Sequence, residues 1–226
     1  MRTATVAFAV VAVASLAGCG SSGTKSNGEA SKPPRRVLAD ALKAAEDARS
    51  VHVSGTIRSG GESMKVELTL AQQGGKGSLT ANGQPFDFVR VGDKVYLRGR
   101  DAFWRVVGGV AAVRLFHGKW LVASATQGRF ASLADLSDPA RFFGRLSSRN
   151  KVVDDGAETY HGHRVVALRD PSDGSVLYVS ATGAPYPVAA TTGRANAGTI
   201  TFDRWNEPVT FTAPKNAVPV SKLRGG

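Results

Sequence analysis

The residues of this 226-residue chain whose types and spacing could do chemistry are four histidines, one cysteine and two serine–lysine pairs. His161-Gly162-His163 sets two imidazoles two residues apart, a spacing that on a strand turns both to one face and would suit a metal. Gly162 favours a turn instead, spacing fixes no third ligand, and His52 and His117 lie far away in the chain, so no metal site is expected. Ser22 with Lys25, and Ser148 with Lys151, match Ser-x-x-Lys, the arrangement of a nucleophile and its base at the start of a helix. The first falls in a Ser/Gly-rich stretch and the second lacks companion motifs. Asp170-Pro171-Ser172-Asp173-Gly174 has the acids of a calcium loop without its spacing or closing glutamate, and reads as a hairpin turn. Gly74-Gly75-Lys76-Gly77 is too short for a phosphate cradle, and neither Gly-x-Ser-x-Gly nor His-Glu-x-x-His occurs. The expectation is a protein that is not an enzyme and carries no cofactor.

Cys19 is the only cysteine, so no disulfide within the chain can form and the fold must be held by its core. It closes an amino-terminal segment with the parts of an export signal: Arg2, an apolar run from Val6 to Ala14, and small residues after it. A helix that crosses a bilayer needs about 20 apolar residues, and this run has the length of a signal. The last four residues, Leu16-Ala17-Gly18-Cys19, resemble the lipobox of bacterial prolipoproteins. That resemblance implies cleavage after residue 18 and acylation of Cys19, which would anchor the protein to the outer, extracytoplasmic face of the cell membrane. Each buried methylene of such a chain contributes about 0.8 kcal/mol, so two or three chains hold stably.

The formal net charge is +11, and removing residues 1–18 takes away only Arg2. For an exported chain that much positive charge points to acidic lipid head groups, glycolipids or wall polymers rather than to nucleic acid. Residues 19–34, rich in Ser and Gly and ending in Pro33-Pro34, read as a lipidated cysteine and flexible tether, and residues 35–226 as one domain. Leu38, Ala41, Leu42, Ala45 and Ala48 recur at helical spacing between Arg35 and Arg49. The period then falls to two. Val51–Arg58, Met64–Leu70, Gly77–Ala81, Pro85–Val91 and Lys94–Arg98 read as strands turned at Asn82-Gly83 and Gly92-Asp93. Two or three short helices are expected from Val106 to Leu146, with Gly108-Gly109 and Pro139 as interruptions. Strands resume at Lys151–Tyr160, His163–Arg169, Ser175–Ala181, Val188–Thr192 and Thr199–Asp203, with a last one at Val209–Thr212 before a loose tail. This is an α+β layout, in which helices cover one face of a strongly curved antiparallel sheet and an apolar concavity can remain.

Ala48-Arg49-Ser50-Val51-His52-Val53-Ser54-Gly55, Val89 to Leu97 followed by Trp104, and Ile200-Thr201-Phe202-Asp203-Arg204-Trp205-Asn206-Glu207-Pro208-Val209 with Ala213-Pro214 are similar to segments of the LppX/LprAFG group of actinobacterial lipoproteins. The resemblance implies a half-barrel of the LolA type, with a cavity that takes the acyl chains of a lipid or lipoglycan. Val53, Ile57, Val66, Leu68, Leu70, Phe86 and Phe88 are the candidate cavity residues, and they would serve equally as core. The alternative is an envelope module with a filled core that meets a polyanion or a protein through its basic surface.

Overall fold

In a computed structural model of the chain, the residues described are 25–59, 62–81, 83–126, 128–144, 151–193 and 198–223. Cys19, Ser22, Ser148 and the Arg-Gly-Gly end lie outside them. Helix α1 spans Pro34–Asp47 and is preceded by Pro33, whose fixed φ suits a helix entry. Val37, Leu38, Ala41, Leu42 and Ala45 form its buried face. The backbone then turns extended at Ala48 and leads into five consecutive antiparallel strands. These are β1 (Ser50–Ser59), β2 (Glu62–Ala71), β3 (Gly74–Ala81), β4 (Gln84–Val91) and β5 (Lys94–Gly99). Helix α2 (Asp101–Phe116), strand β6 (Leu121–Ser124), α3 (Gly128–Leu136) and α4 (Pro139–Gly144) make the middle of the chain. Strands β7 (Val153–Tyr160), β8 (His163–Arg169), β9 (Val176–Ser180), β10 (Pro187–Thr192), β11 (Gly198–Asp203) and β12 (Val218–Pro219) complete it.

All twelve strands join in one sheet, in the order β12-β6-β5-β4-β3-β2-β1-β11-β10-β9-β8-β7. β1 sits at the centre because β11 returns to pair with it, Phe202 opposite Val53 and Ile200 opposite Gly55. Twist accumulates from strand to strand, and the sheet curves without closing, since β12 and β7 remain at its two ends. The fold is the curved α+β half-barrel expected from the sequence. Helices α1 and α4 pack together, α1 lies against β7, β9 and β10, and α2 and α3 lie against β4–β6.

Two expectations need correcting, and one strand was not expected. The segment Val209–Thr212 is not a strand. The closing strand is Val218–Pro219, which pairs parallel with Leu121–Val122, and Pro208 and Pro214 on either side disfavour a regular ladder between them. β6 itself has only four residues and no clean alternation, so the sequence did not announce it. The described part of the tether, from Ser26 onward, is docked. Ser26 bridges Thr182, the Asn27 amide N–H donates to the Ala181 carbonyl at 3.0 Å, and its Nδ2 donates to the Ser180 carbonyl at 2.9 Å. A short helical turn at Glu29–Ser31 follows. Lys32 Nζ then reaches Glu29 Oε1 and Asp40 Oδ2, each at 2.7 Å, which fastens the segment to α1.

The hydrogen bond from Lys32, with help from the Arg36 charge, holds the Asp40 carboxyl below its usual value of 3.8. A depressed carboxylate gives stability that is fully present above the unfolded value and is lost as pH falls through the folded one. The amides of Asn27 and Lys32 should therefore lose hydrogen-exchange protection as pH drops below the carboxylate range. Lys32→Ala should produce the same loss at neutral pH while the central strands keep theirs.

Candidate functional site

Cross-strand register lines up the residues on the inner face of the sheet. One row runs Phe202, Val53, Leu68, Gly77, Phe88, Leu97 and Leu121 from β11 to β6. The next runs Leu168, Leu177, Ala190, Ile200, Gly55, Val66, Leu79, Phe86 and Gly99 from β8 to β5. Strand alternation puts every member of a row on one side. The candidates Val53, Val66, Leu68, Leu70, Phe86 and Phe88 all belong to one buried cluster that also holds the apolar face of α1. Ile57 lies on β1, but its side chain is outside what is described. The structure thus brings six of the seven together and packs them against helices.

Two aromatic groups cover this face. Phe143 of α4 is fully buried, with ring centres 5.2 Å from Phe202 and 5.5 Å from Trp205. Trp205 in turn stacks on Tyr186 at 4.4 Å. Asn206 locks the turn after β11. Its side chain accepts from the Arg49 amide at 2.7 Å and donates to the Tyr186 hydroxyl at 2.6 Å, and its backbone has a left-handed φ of 62°. The closing Arg204-Trp205-Asn206 motif is therefore the clamp between the end of β11 and the start of β1.

The second group belongs to α2. Phe86, Phe103, Trp104 and Phe116 form a chain with ring centres 5.1, 5.0 and 4.7 Å apart. Residues 16 apart in a straight helix lie about 24 Å from each other. Yet His117 Nδ1 contacts both oxygens of Asp101, at 2.8 and 3.0 Å. The helix is folded back on itself at Gly108 (φ −154°, ψ 24°) and Gly109 (φ 66°, ψ −161°), the second conformation being one that glycine alone adopts readily. Phe103 packs on β5 because Gly99 leaves room; a Cβ there would lie 2.2 Å from the ring. The Trp104 side chain is buried, and its indole N–H has no hydrogen-bond partner among the described residues. An unmet buried donor costs about 1–3 kcal/mol.

Polar groups elsewhere act as stays. Arg90 is buried. Its Nε donates to the Ser137 hydroxyl at 2.7 Å, and its terminal nitrogen donates to the carbonyls of Ala71, Gln72 and Ser137. One guanidinium thus ties the α3–α4 junction to the β2–β3 turn, and burial pushes its pKa down. His52, which spacing could not connect to anything, sits between two carboxylates on the outer face, Nδ1 at 2.7 Å from Asp203 and Nε2 at 2.6 Å from Glu67. That triplet spans β11, β1 and β2, and only register reveals it. His161 lies in the β7–β8 turn, at a φ of 47°, and His163 opens β8 after it. Among the described residues, no three of His, Cys, Asp or Glu are grouped to hold a metal. Asp170–Ser175 is a turn closed by its own side chains, with Asp170 accepting from the Ser172 amide and Asp173 from the Ser175 amide. A depression of about 700 Å³ lies at the foot of the α2 hairpin, where Phe86, Arg98, Arg100 and His117 are among its lining.

No family model matches the chain, and no curated protein matches it. Solved structures do. The crystal structure of LprF from Mycobacterium bovis aligns with 80% of this chain and 96% of its own length at 15% identity, with a TM-score of 0.55. That of the Mycobacterium tuberculosis lipoprotein LppX aligns with 79% and 98% at 16% identity, with a TM-score of 0.52. The chain has the fold of these lipoproteins, an LppX/LprF-type half-barrel.

Gly99→Ala should cost about 1–3 kcal/mol through overpacking against Phe103, measured by urea unfolding. Trp104→Phe should cost less than about 1 kcal/mol, because removal of the unmet N–H offsets the smaller ring. A loss like that of an ordinary large-to-small core change, about 3 kcal/mol or more, would mean that the indole has a partner.

Proposed function

We propose that this protein is an extracytoplasmic lipoprotein, anchored in the cell membrane through acylated Cys19, that binds or carries a lipid or acylated glycolipid on the inner face of its half-barrel. The observation that carries the reading is a continuous apolar sheet face covered at one end by a folded-back helix that contributes three buried residues, Phe103, Trp104 and Phe116. Beyond that buried base the hairpin stands in solvent, with Val106, Val107 and Val110 exposed. Displacing it would uncover Phe86 and the rows behind it, and a buried acyl chain gains about 0.8 kcal/mol for each methylene. The Trp104 N–H would then meet an ester or amide oxygen of the ligand in place of no partner. Arg98 and Arg100 line the depression at the foot of the hairpin together with Asp87, which Arg98 meets at 3.0 Å, and Asp101, so an acidic head group there would exchange with those carboxylates for the guanidinium groups. The reading assigns the protein no catalysis and no cofactor.

A second reading is supported by the packing of six candidate residues into filled core: an envelope module that binds a polyanion or a protein partner through its basic surface, with affinity that falls steeply with salt.

Native mass spectrometry of protein purified from a lipid-producing host decides between them. Adducts of acyl-lipid mass that leave on collisional activation, and that are depleted in Trp104→Ala, are expected. Protein that is free of lipid after gentle extraction, and takes none up from mixed micelles, would falsify the lipid reading and leave the second.

A further inference from the structure

The tip of the α2 hairpin is apolar on every side. Val106, Val107 and Val110 are 56%, 56% and 60% exposed, and the whole run from Val106 to Ala111 contains no polar side chain. The hairpin hides its aromatics at the base, through Phe103, Trp104 and Phe116, and presents its aliphatics at the end away from the sheet. Isolated exposed valines are ordinary, whereas six consecutive apolar residues at the point of a projecting element are a patch that calls for a cover. The Asp101–His117 contact at the base fixes the two arms so that the tip is held out.

Charge says what the cover is. Arg105 and Arg114 are exposed on either side of the tip, and no acidic residue occurs between Asp101 and Asp135. An apolar point with a cationic collar is the pattern of elements that rest in the boundary between acidic head groups and acyl chains. The start of the folded part bears on the same conclusion. Ser26 is bonded to the domain, so only residues 20–25 separate it from Cys19, a span of about 25 Å even when fully extended. A domain on so short a leash stays at the lipid surface.

We infer that the α2 tip, Val106 to Ala111, inserts into the head-group region of an anionic bilayer, with Arg105 and Arg114 against the lipid phosphates. The inference rests on the proposed anchoring through Cys19 and adds to it a second point of contact, which the chain's own residues make without acylation.

The test uses the lipoprotein extracted from its host membrane and reconstituted in vesicles of equal phosphatidylglycerol and phosphatidylcholine. The intact mass of the extracted protein, with or without acyl chains on its amino-terminal Cys19, reports the anchor, and co-sedimentation with the vesicles reports membrane contact of either kind. A fluorophore on Val110→Cys, quenched by lipids carrying a nitroxide on the acyl chain, reports the tip. Lys65→Cys on exposed β2 is the control. The expected result is an about twofold or larger drop in fluorescence at position 110 and little at 65, abolished by Val106→Asp with Val107→Asp and kept by Val106→Leu with Val107→Leu. These positions are exposed, so the fold should survive, and near-ultraviolet circular dichroism checks that it does. Vesicle-bound protein without quenching at position 110 overturns the insertion and leaves the anchor standing. Protein that carries no acyl mass overturns the anchor; quenching of that protein at position 110 on adding vesicles upholds the tip alone, and its absence overturns both. Protection of position 110 from an aqueous quencher without lipid, together with a doubled mass by light scattering, would show that a second copy covers the tip and would overturn the inference.

Discussion

The constraint on which this molecule depends is that its sheet is apolar on one side and does not close. A closed barrel buries its inner face against itself, whereas a half-barrel must find other elements to cover it. Here the cover is divided. α1 and α4 take the side of β7–β10 with Phe143, Phe202 and Trp205, and α2 and α3 take the side of β4–β6 with Phe103, Trp104 and Phe116. The first half is fixed by the Asn206 clamp and the second by the Arg90 stays and a folded helix. The order of the chain follows from the same need: β11 returns to the centre beside β1, so the last long strand joins the two halves that earlier segments built.

The two covers differ in kind. α1 buries a continuous face of five residues and is further fastened by Lys32 through Asp40. α2 is broken at Gly108-Gly109, buries its base and leaves its point in water. In a domain whose parts open with different free energies, the element with few buried contacts opens first. The unmet indole of Trp104 lies on that element, so any rearrangement that gives it an acceptor recovers what the closed arrangement forgoes.

Much of this was legible in the sequence. Period-two alternation located β1 and β2, short apolar runs between turn residues such as Asn82-Gly83 and Asp173-Gly174 located β3–β5 and β7–β11, and the spacing from Leu38 to Ala48 located α1. The short elements were not legible. β6 and β12 have four and two residues, and such strands exist because a neighbour offers a ladder, not because of their own pattern. The segment from Ser26 to Lys32 looks like a linker in composition and is held by contacts with residues more than 150 positions away. The six candidates whose side chains are described face inward and are buried, but alternation states only which side a residue takes. It cannot say whether helix, solvent or ligand lies opposite. His52 escaped for a related reason, since its carboxylates come from two different strands.

An open sheet also has two ends where a strand of another molecule could add. β7 at one end carries Asp154, Asp155 and Glu158, and a bulge interrupts its pairing between Asp154 and Gly156. β12 at the other end is two residues long, and Pro219 has no N–H to offer. Like charges repel a second copy of β7, the bulge spoils its register, and proline denies the far end a ladder. Among the described residues, both terminals of the sheet are therefore poor templates for a further strand, and ribbon-like polymerisation, the standing hazard of an unclosed β-structure, is disfavoured at each.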